Sequence, residues 1–308
     1  MGIYGNYFKP QSSTSFEDII NIFESANEDL KNTDRLFNYL SLGESSFITE
    51  ADAKGTLNNI KESILGALKK IKEAVKKFFT ETLPDLFRKI KEKITGKVAE
   101  VKDVEADEEF EIEYKKPDQL KYDMDKISDF LKYVKEQGDK IYASKDPNEI
   151  FDIYEDTKEE ATKFSKINKE DNDFDTVTVL TIEKGASIKS VLEKVEKALD
   201  EIEKDIKPST TTFLKDINDS VKAIEGAAEI RSGLANNGMK YMEDWEKVHA
   251  ISIRTLKSLV TLTNMISEKA ISAIDTYISK NIKAYNTLAS KLKIKPKEDE
   301  NENKEEEA

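Results

Sequence analysis

Apolar residues recur along this chain at steps of three and four, and that spacing constrains its fold more than any other feature. Leu57, Ile60, Ile64, Leu68, Ile71, Val75 and Phe78 form one such stripe. Ile188, Leu192, Val195, Leu199, Ile202 and Ile206 form a second, and Leu214, Ile217, Val221, Ile224 and Ala228 a third. Side chains at this spacing share one face of an α-helix, whereas a strand would divide them between both faces of a sheet. The chain of 308 residues is 36% charged and 38% apolar, which suits helices that bury one stripe and solvate the rest. The predicted class is mainly α, an elongated helical bundle or coiled coil with a small β element.

Breaks in the pattern divide the chain into five parts. Residues 1–55 read as an arm carrying Tyr4, Tyr7 and Phe8, a helix beginning near Ser15, a further helical stretch over Asn32 to Leu42, and a polar break from Gly43 to Gly55. Residues 56–100 form a basic amphipathic segment, which Pro84 ends or kinks. Residues 101–185 open with an acidic, linker-like run from Glu105 to Glu113 and carry helices around 118–137 and 147–166. Within them Phe110, Ile112 and Tyr114 alternate as in a strand, and 176–182 is rich in β-branched residues. Neither run has another partner, so 110–114 and 176–182 are expected to pair. Residues 186–296 read as a helical bundle with long coiled-coil helices. There Pro208 stops one helix, and the proline-free span from Ala235 to Leu292 allows another of roughly fifty residues, about 75 Å long. Residues 297–308, nearly all Glu, Asp, Asn and Lys, read as a disordered acidic tail.

Little in the residue inventory points to chemistry. The chain has no cysteine and one histidine, His249, which excludes disulfides, thiolate-bound metals and His-pair metal sites within one chain. Acidic pairs such as Glu193/Glu196 and Glu243/Glu246 read as solvated helix faces, and His249, four residues beyond Trp245, as a packed side chain. Asp171-Asn172-Asp173 lacks the glycine and terminal glutamate of a calcium loop. The expectation is a non-enzymatic protein with no catalytic residues, cofactor or metal. No run approaches the ~18 apolar residues that a bilayer span needs, and the start lacks the flank and apolar run of a secretory signal.

Charge is distributed unevenly. Residues 61–97 hold eleven Lys/Arg against five Asp/Glu, a net +6, which leaves −19 on the rest of a chain whose total is −13. Three readings of this basic helix stand side by side. Its stripe packs into the protein's own bundle while its lysines answer acidic neighbours. Alternatively Lys69, Lys70, Lys72, Lys76 and Lys77, flanking Phe78 and Phe79, lie on an anionic membrane. Thirdly, those lysines contact nucleic-acid phosphates, with interleaved Glu62, Glu73 and Glu81 weakening the last two readings. Farther along, Leu256, Leu259, Ile266, Ala270 and Ile274 form a seam expected to self-associate or to pair with a bundle partner.

The opening Met1-Gly2-Ile3-Tyr4-Gly5-Asn6-Tyr7, the run Ile22-Phe23-Glu24-Ser25-Ala26-Asn27 and the Lys-, Ile- and Phe-dense stretch Ile64 to Phe79 resemble structural proteins of large contractile-tailed bacteriophages. The resemblance covers about the first hundred residues. It implies a virion structural protein, head-internal or a component of the prohead core or scaffold, placed in the head interior or in the host cytoplasm during assembly. Its implied partners are other virion proteins and further copies of itself, with packaged DNA meeting residues 57–97. It also implies cleavage after Glu in Ile/Leu-x-Glu sites by a prohead protease, and Ile48-Thr49-Glu50 followed by Ala51 fits that pattern. The same pattern recurs at Leu42-Gly43-Glu44, Ile60-Lys61-Glu62, Ile71-Lys72-Glu73 and Ile90-Lys91-Glu92, but only the 42–50 loop combines it with expected access. Two other classes stay open: a membrane-active helical bundle and a cytoplasmic coiled-coil adaptor.

Overall fold

The computed structural model describes residues 16–42, 50–100, 105–106, 108–144, 177–237, 242–277 and 281–291, with parts of 149–160. Helix accounts for 88% of them, and a two-stranded antiparallel sheet is present, so the chain is mainly α with a small β element. Asp171-Asn172-Asp173, the acidic tail, Ser15 and the aromatic arm lie outside the described residues.

The first helix, α1 (Phe16–Leu42), is one element where the sequence suggested two. Ile19, Phe23, Ala26 and Leu30 continue into Phe37 and Leu40 on one buried face. Midway, the Thr33 hydroxyl donates to the Leu30 carbonyl at 2.5 Å, which keeps a polar atom inside that face without breaking the helix. The next helix, α2 (Glu50–Lys77), starts inside the expected Gly43–Gly55 break, and residues 43–49 are not described.

Pro84 neither ends nor breaks the basic segment. Proline lacks an N–H, and its ring collides with the carbonyl four residues back in α geometry. The chain widens instead into a π turn, Phe78–Thr82, directly before α3 (Leu83–Glu100). Leu83 donates its N–H to the Phe78 carbonyl, five residues back, while staying in the α region at φ −63° and ψ −47°. Helical structure therefore runs unbroken from Glu50 to Glu100. The π turn also brings adjacent Phe78 and Phe79 into the core together.

Strand β1 (Phe110–Tyr114) pairs antiparallel with β2 (Thr178–Ile182), as the alternation predicted. The register sets Phe110 opposite Ile182, Ile112 opposite Leu180 and Tyr114 opposite Thr178, so the inward residues of both strands coincide while Glu111 and Glu113 face outward. Part of the acidic run is pinned rather than linker-like. Ala106 donates to the Ala186 carbonyl, and Gly185 donates to the Ala106 carbonyl, both at 2.9 Å. Gly185 has φ +84°, a conformation that glycine adopts at little cost.

Helix α4 (Pro117–Ala143) follows β1, and α5 (Ile188–Asn237) follows β2. The α4–α5 contact is the most extensive in the molecule. Contrary to the sequence expectation, α5 runs through Pro208 for 50 residues. Leu199 and Ile202 before the proline, and Phe213 and Ile217 after it, are all buried. Continuation of the helix is what keeps both halves in the core, and that burial outweighs the roughly 3 kcal/mol cost of an internal proline. A fifty-residue helix thus lies here; over 235–292 the structure describes α6 (Met242–Tyr277) and α7 (Lys283–Lys291), with 278–280 outside the described residues. From Thr255 to Ala270, α6 is buried on nearly every side, which identifies it as the central helix. One hydrophobic core takes residues from every named helix and both strands, so the first four sequence segments contribute to a common interior.

Candidate basic interface

The apolar stripe of α2 is consumed by this core. Leu57, Ile60, Ile64, Leu68, Ile71, Val75 and Phe78 are buried, as is Phe79, whose ring meets that of Phe213 edge-on at 5.3 Å between centroids. Phe78 and Phe79 are therefore not on offer to a bilayer in this fold, which corrects their placement as surface contacts. The seam residues Leu256, Leu259, Ile266, Ala270 and Ile274 are likewise buried within a single chain. A second copy cannot reach them without opening the bundle.

Several lysines of the basic segment answer acidic neighbours, as the first reading anticipated. Lys70 donates to the Asp29 carboxylate at 2.7 Å and to the Ser25 hydroxyl at 2.9 Å, clasping α1 to α2. Lys61 reaches Glu229 of α5 at 3.4 Å and Glu62 at 3.3 Å. Burial alone would lower the Lys61 pKa, but hydrogen bonds to the two glutamates hold it above its ordinary value. Lys91 bonds Asp200 at 2.6 Å and also Glu203, tying α3 to α5, and Lys77 pairs with Glu73 at 2.9 Å. The hydrogen bond from Lys77 keeps the Glu73 carboxyl below its usual range.

Lys69, Lys72 and Lys76 differ. No ion pair to any of them occurs among the described residues, and Lys69 and Lys76 are exposed. The structure adds two residues that sequence reasoning missed, Lys215 and Lys222 of α5, both exposed. They precede Glu229 by fourteen and seven residues, so they share the stripe of α5 that meets Lys61. Asp219, four residues after Lys215 and three before Lys222, and Glu225, three after Lys222, lie among these lysines on α5. Asp216 accepts from the Ser128 hydroxyl of α4, and Asp216 and Asp219 act electrostatically on Lys132 and Lys135 of that helix. The Lys61–Glu229 pair and the Phe79–Phe213 contact bracket the seam between α2 and α5, and the five lysines fall between these contacts on the two helices. The sequence signal that could have found the α5 members is the seven-residue step Lys215, Lys222, Glu229.

Of the candidate cleavage residues, Ile48 is not described, whereas Glu50 and Ala51 open α2. The extended backbone expected there is thus helical from Glu50 onward. His249, Trp245, Glu243 and Glu246 all lie in α6, and Glu193 and Glu196 in α5. Among the described residues no group of three or more His, Asp or Glu side chains could hold a metal ion, and no helix is long and apolar enough to cross a membrane.

A second polar cluster was not foreseen. Lys115 and Asp123 form a buried ion pair beside β1. Asn281 accepts from the Lys115 N–H at 2.8 Å and donates to the Lys115 carbonyl at 3.0 Å, pairing with the backbone as a neighbouring strand would. Tyr285 stacks obliquely on Tyr114, and burial pushes its phenol well above the usual range. This arrangement locks the start of α7 onto the end of β1. No protein-family model, curated protein or solved structure matches the chain.

Proposed function

We propose that the chain is a non-enzymatic structural protein of a bacteriophage particle, a head-internal or prohead core component that acts as a folded helical bundle through its charged surface. One observation carries the reading: the apolar stripes, including those of the basic helix and of the 256–274 seam, are turned into one core. Among described residues the large exposed apolar side chains are Tyr39, Tyr142 and Val179. What the bundle presents to neighbours is therefore mostly charge, acidic overall with one basic ridge. Such a surface suits many weak, reversible contacts with other particle proteins and repels incoming DNA at long range. The N-terminal resemblance supplies the phage context.

Peptide mapping of purified particles and of assembly intermediates tests this proposal. Recovery of the chain from either supports it, and absence from both overturns it. A peptide beginning at Ala51 would support cleavage after Glu50. Because Ile19, Phe23, Ala26, Leu30, Phe37 and Leu40 anchor α1 in the core, such a cut should leave α1 peptides in the particle. Leakage of anionic vesicles by the intact chain at physiological salt would instead favour the membrane-active alternative.

A further inference from the structure

Among the described residues no ion pair is made by Lys69, Lys72 or Lys76 of α2 or by Lys215 or Lys222 of α5, five lysines on a protein that is acidic overall. From Lys215 to Glu229 the stripe extends about 21 Å along α5. We propose that the acidic segment 298–307 of the same chain docks along this ridge and screens it from other polyanions. The assignment does not depend on the particle reading, since it concerns one chain in solution.

Charge, reach and tethering all favour this occupant. Residues 298–307 carry seven Asp/Glu against Lys304 alone, a net −6 opposite five lysines. Helix α7 ends at Lys291 and packs against α3, which continues directly from the helix that carries Lys69, Lys72 and Lys76. Those three lysines lie seven to fourteen residues before Leu83, about 10–21 Å along the helix axis. An extended stretch from 292 to 298 spans about 23 Å, and to 307 about 50 Å, longer than the roughly 21 Å of the α5 stripe. A tethered segment also works at an effective concentration near the millimolar range. A free nucleic acid must instead approach a chain of net charge −13. Of the interleaved acids, Glu62 pairs with Lys61 and Glu73 pairs with Lys77 while also acting on Lys69.

The chain has no cysteine, so spin labels on Asn301→Cys and Thr211→Cys report one distance in the intact protein. Thr211 is exposed and lies four residues before Lys215. The expected result is a short, narrow label-to-label distance at low salt that lengthens and broadens in about 0.5 M salt, where screening falls to a few ångströms. An undocked acidic tail would contract under the same change as its self-repulsion is screened, so the sign of the shift discriminates. Changing all five lysines to Gln should abolish the short distance even at low salt. If that variant does not fold, Lys69→Gln/Lys76→Gln alone should already lengthen it. A distance unchanged by the Gln variants overturns the ridge as the seat. One that is long at every salt overturns docking. A short distance that vanishes when labelled chain is diluted with unlabelled chain places the segment on a second copy and overturns the intramolecular assignment.

Discussion

Lys115 and Asp123 show how a few residues decide the local order of this bundle. Burying two charges costs several kcal/mol each, and their mutual attraction recovers that only while both are present. Lys115→Met should therefore destabilise the protein by about 3–5 kcal/mol, read as a fall in the urea midpoint. The double change Lys115→Met/Asp123→Leu should recover most of that loss. A single variant with an unchanged midpoint would show that the pair is not buried as described. Lys269 makes the opposite case. It is 5% exposed, lies 5.5 Å from the Phe130 ring centroid, and burial lowers its pKa below 10.5. The unfolded chain then binds more protons than the folded one between the lowered value and 10.5, so this residue makes stability rise with pH in that window. Its contribution is unfavourable at neutral pH and disappears above 10.5. Lys269→Met should be more stable than the parent near pH 7, and the difference should shrink as pH climbs toward 10.5. Urea melts at a series of pH values check both statements.

At the scale of elements, close approach and helix continuity give two tests. Gly138 on α4 sits where α5 comes nearest: an added Cβ would meet the Ala223 Cβ at 3.0 Å and its carbonyl carbon at 3.2 Å. In an open helix Gly→Ala gains up to about 1 kcal/mol. Here the collision should reverse that sign, and Gly138→Ala should lower the melting temperature, whereas Gly55→Ala, with open space around its Cβ, should raise it. Pro208 tests continuity, because α5 carries it at a cost that helix propensity puts near 3 kcal/mol. Pro208→Ala should stabilise the chain by about 1–3 kcal/mol without changing its circular dichroism. Lost helicity in that variant would mean that the proline shapes α5 rather than being tolerated by it. Both elements were visible in the sequence as stripes. Their joining was not, because the decisive term is burial of Leu199, Ile202, Phe213 and Ile217 against other helices, which no local rule contains.

For the whole molecule, the 256–274 seam carries the sharpest consequence. In the sequence it reads as a surface for a second copy, yet Leu259 and Ile266 are fully buried inside one chain. Leu259→Asp/Ile266→Asp should therefore unfold the monomer, with a loss of several kcal/mol per buried charge. Sedimentation and circular dichroism separate the cases: a monomer that keeps its helicity but loses self-association would restore the intermolecular seam.

Helical class and the inward faces were determined by the sequence itself, because a three-to-four period or an alternation already commits side chains to one face, and the expected pairing of the two β-like runs is seen for 110–114 with 178–182. Charge asymmetry was equally legible, since it needs only counting. The tertiary structure alone decided that Pro84 and Pro208 do not end helices, that Phe78 and Phe79 point inward, and that the 256–274 seam meets its own chain. It also brought α5, which carries Lys215 and Lys222, against a helix well over a hundred positions earlier. A stripe in a sequence says that a face will be covered, but its partner depends on burial summed over every helix in the bundle. That sum exists only once the chain has folded.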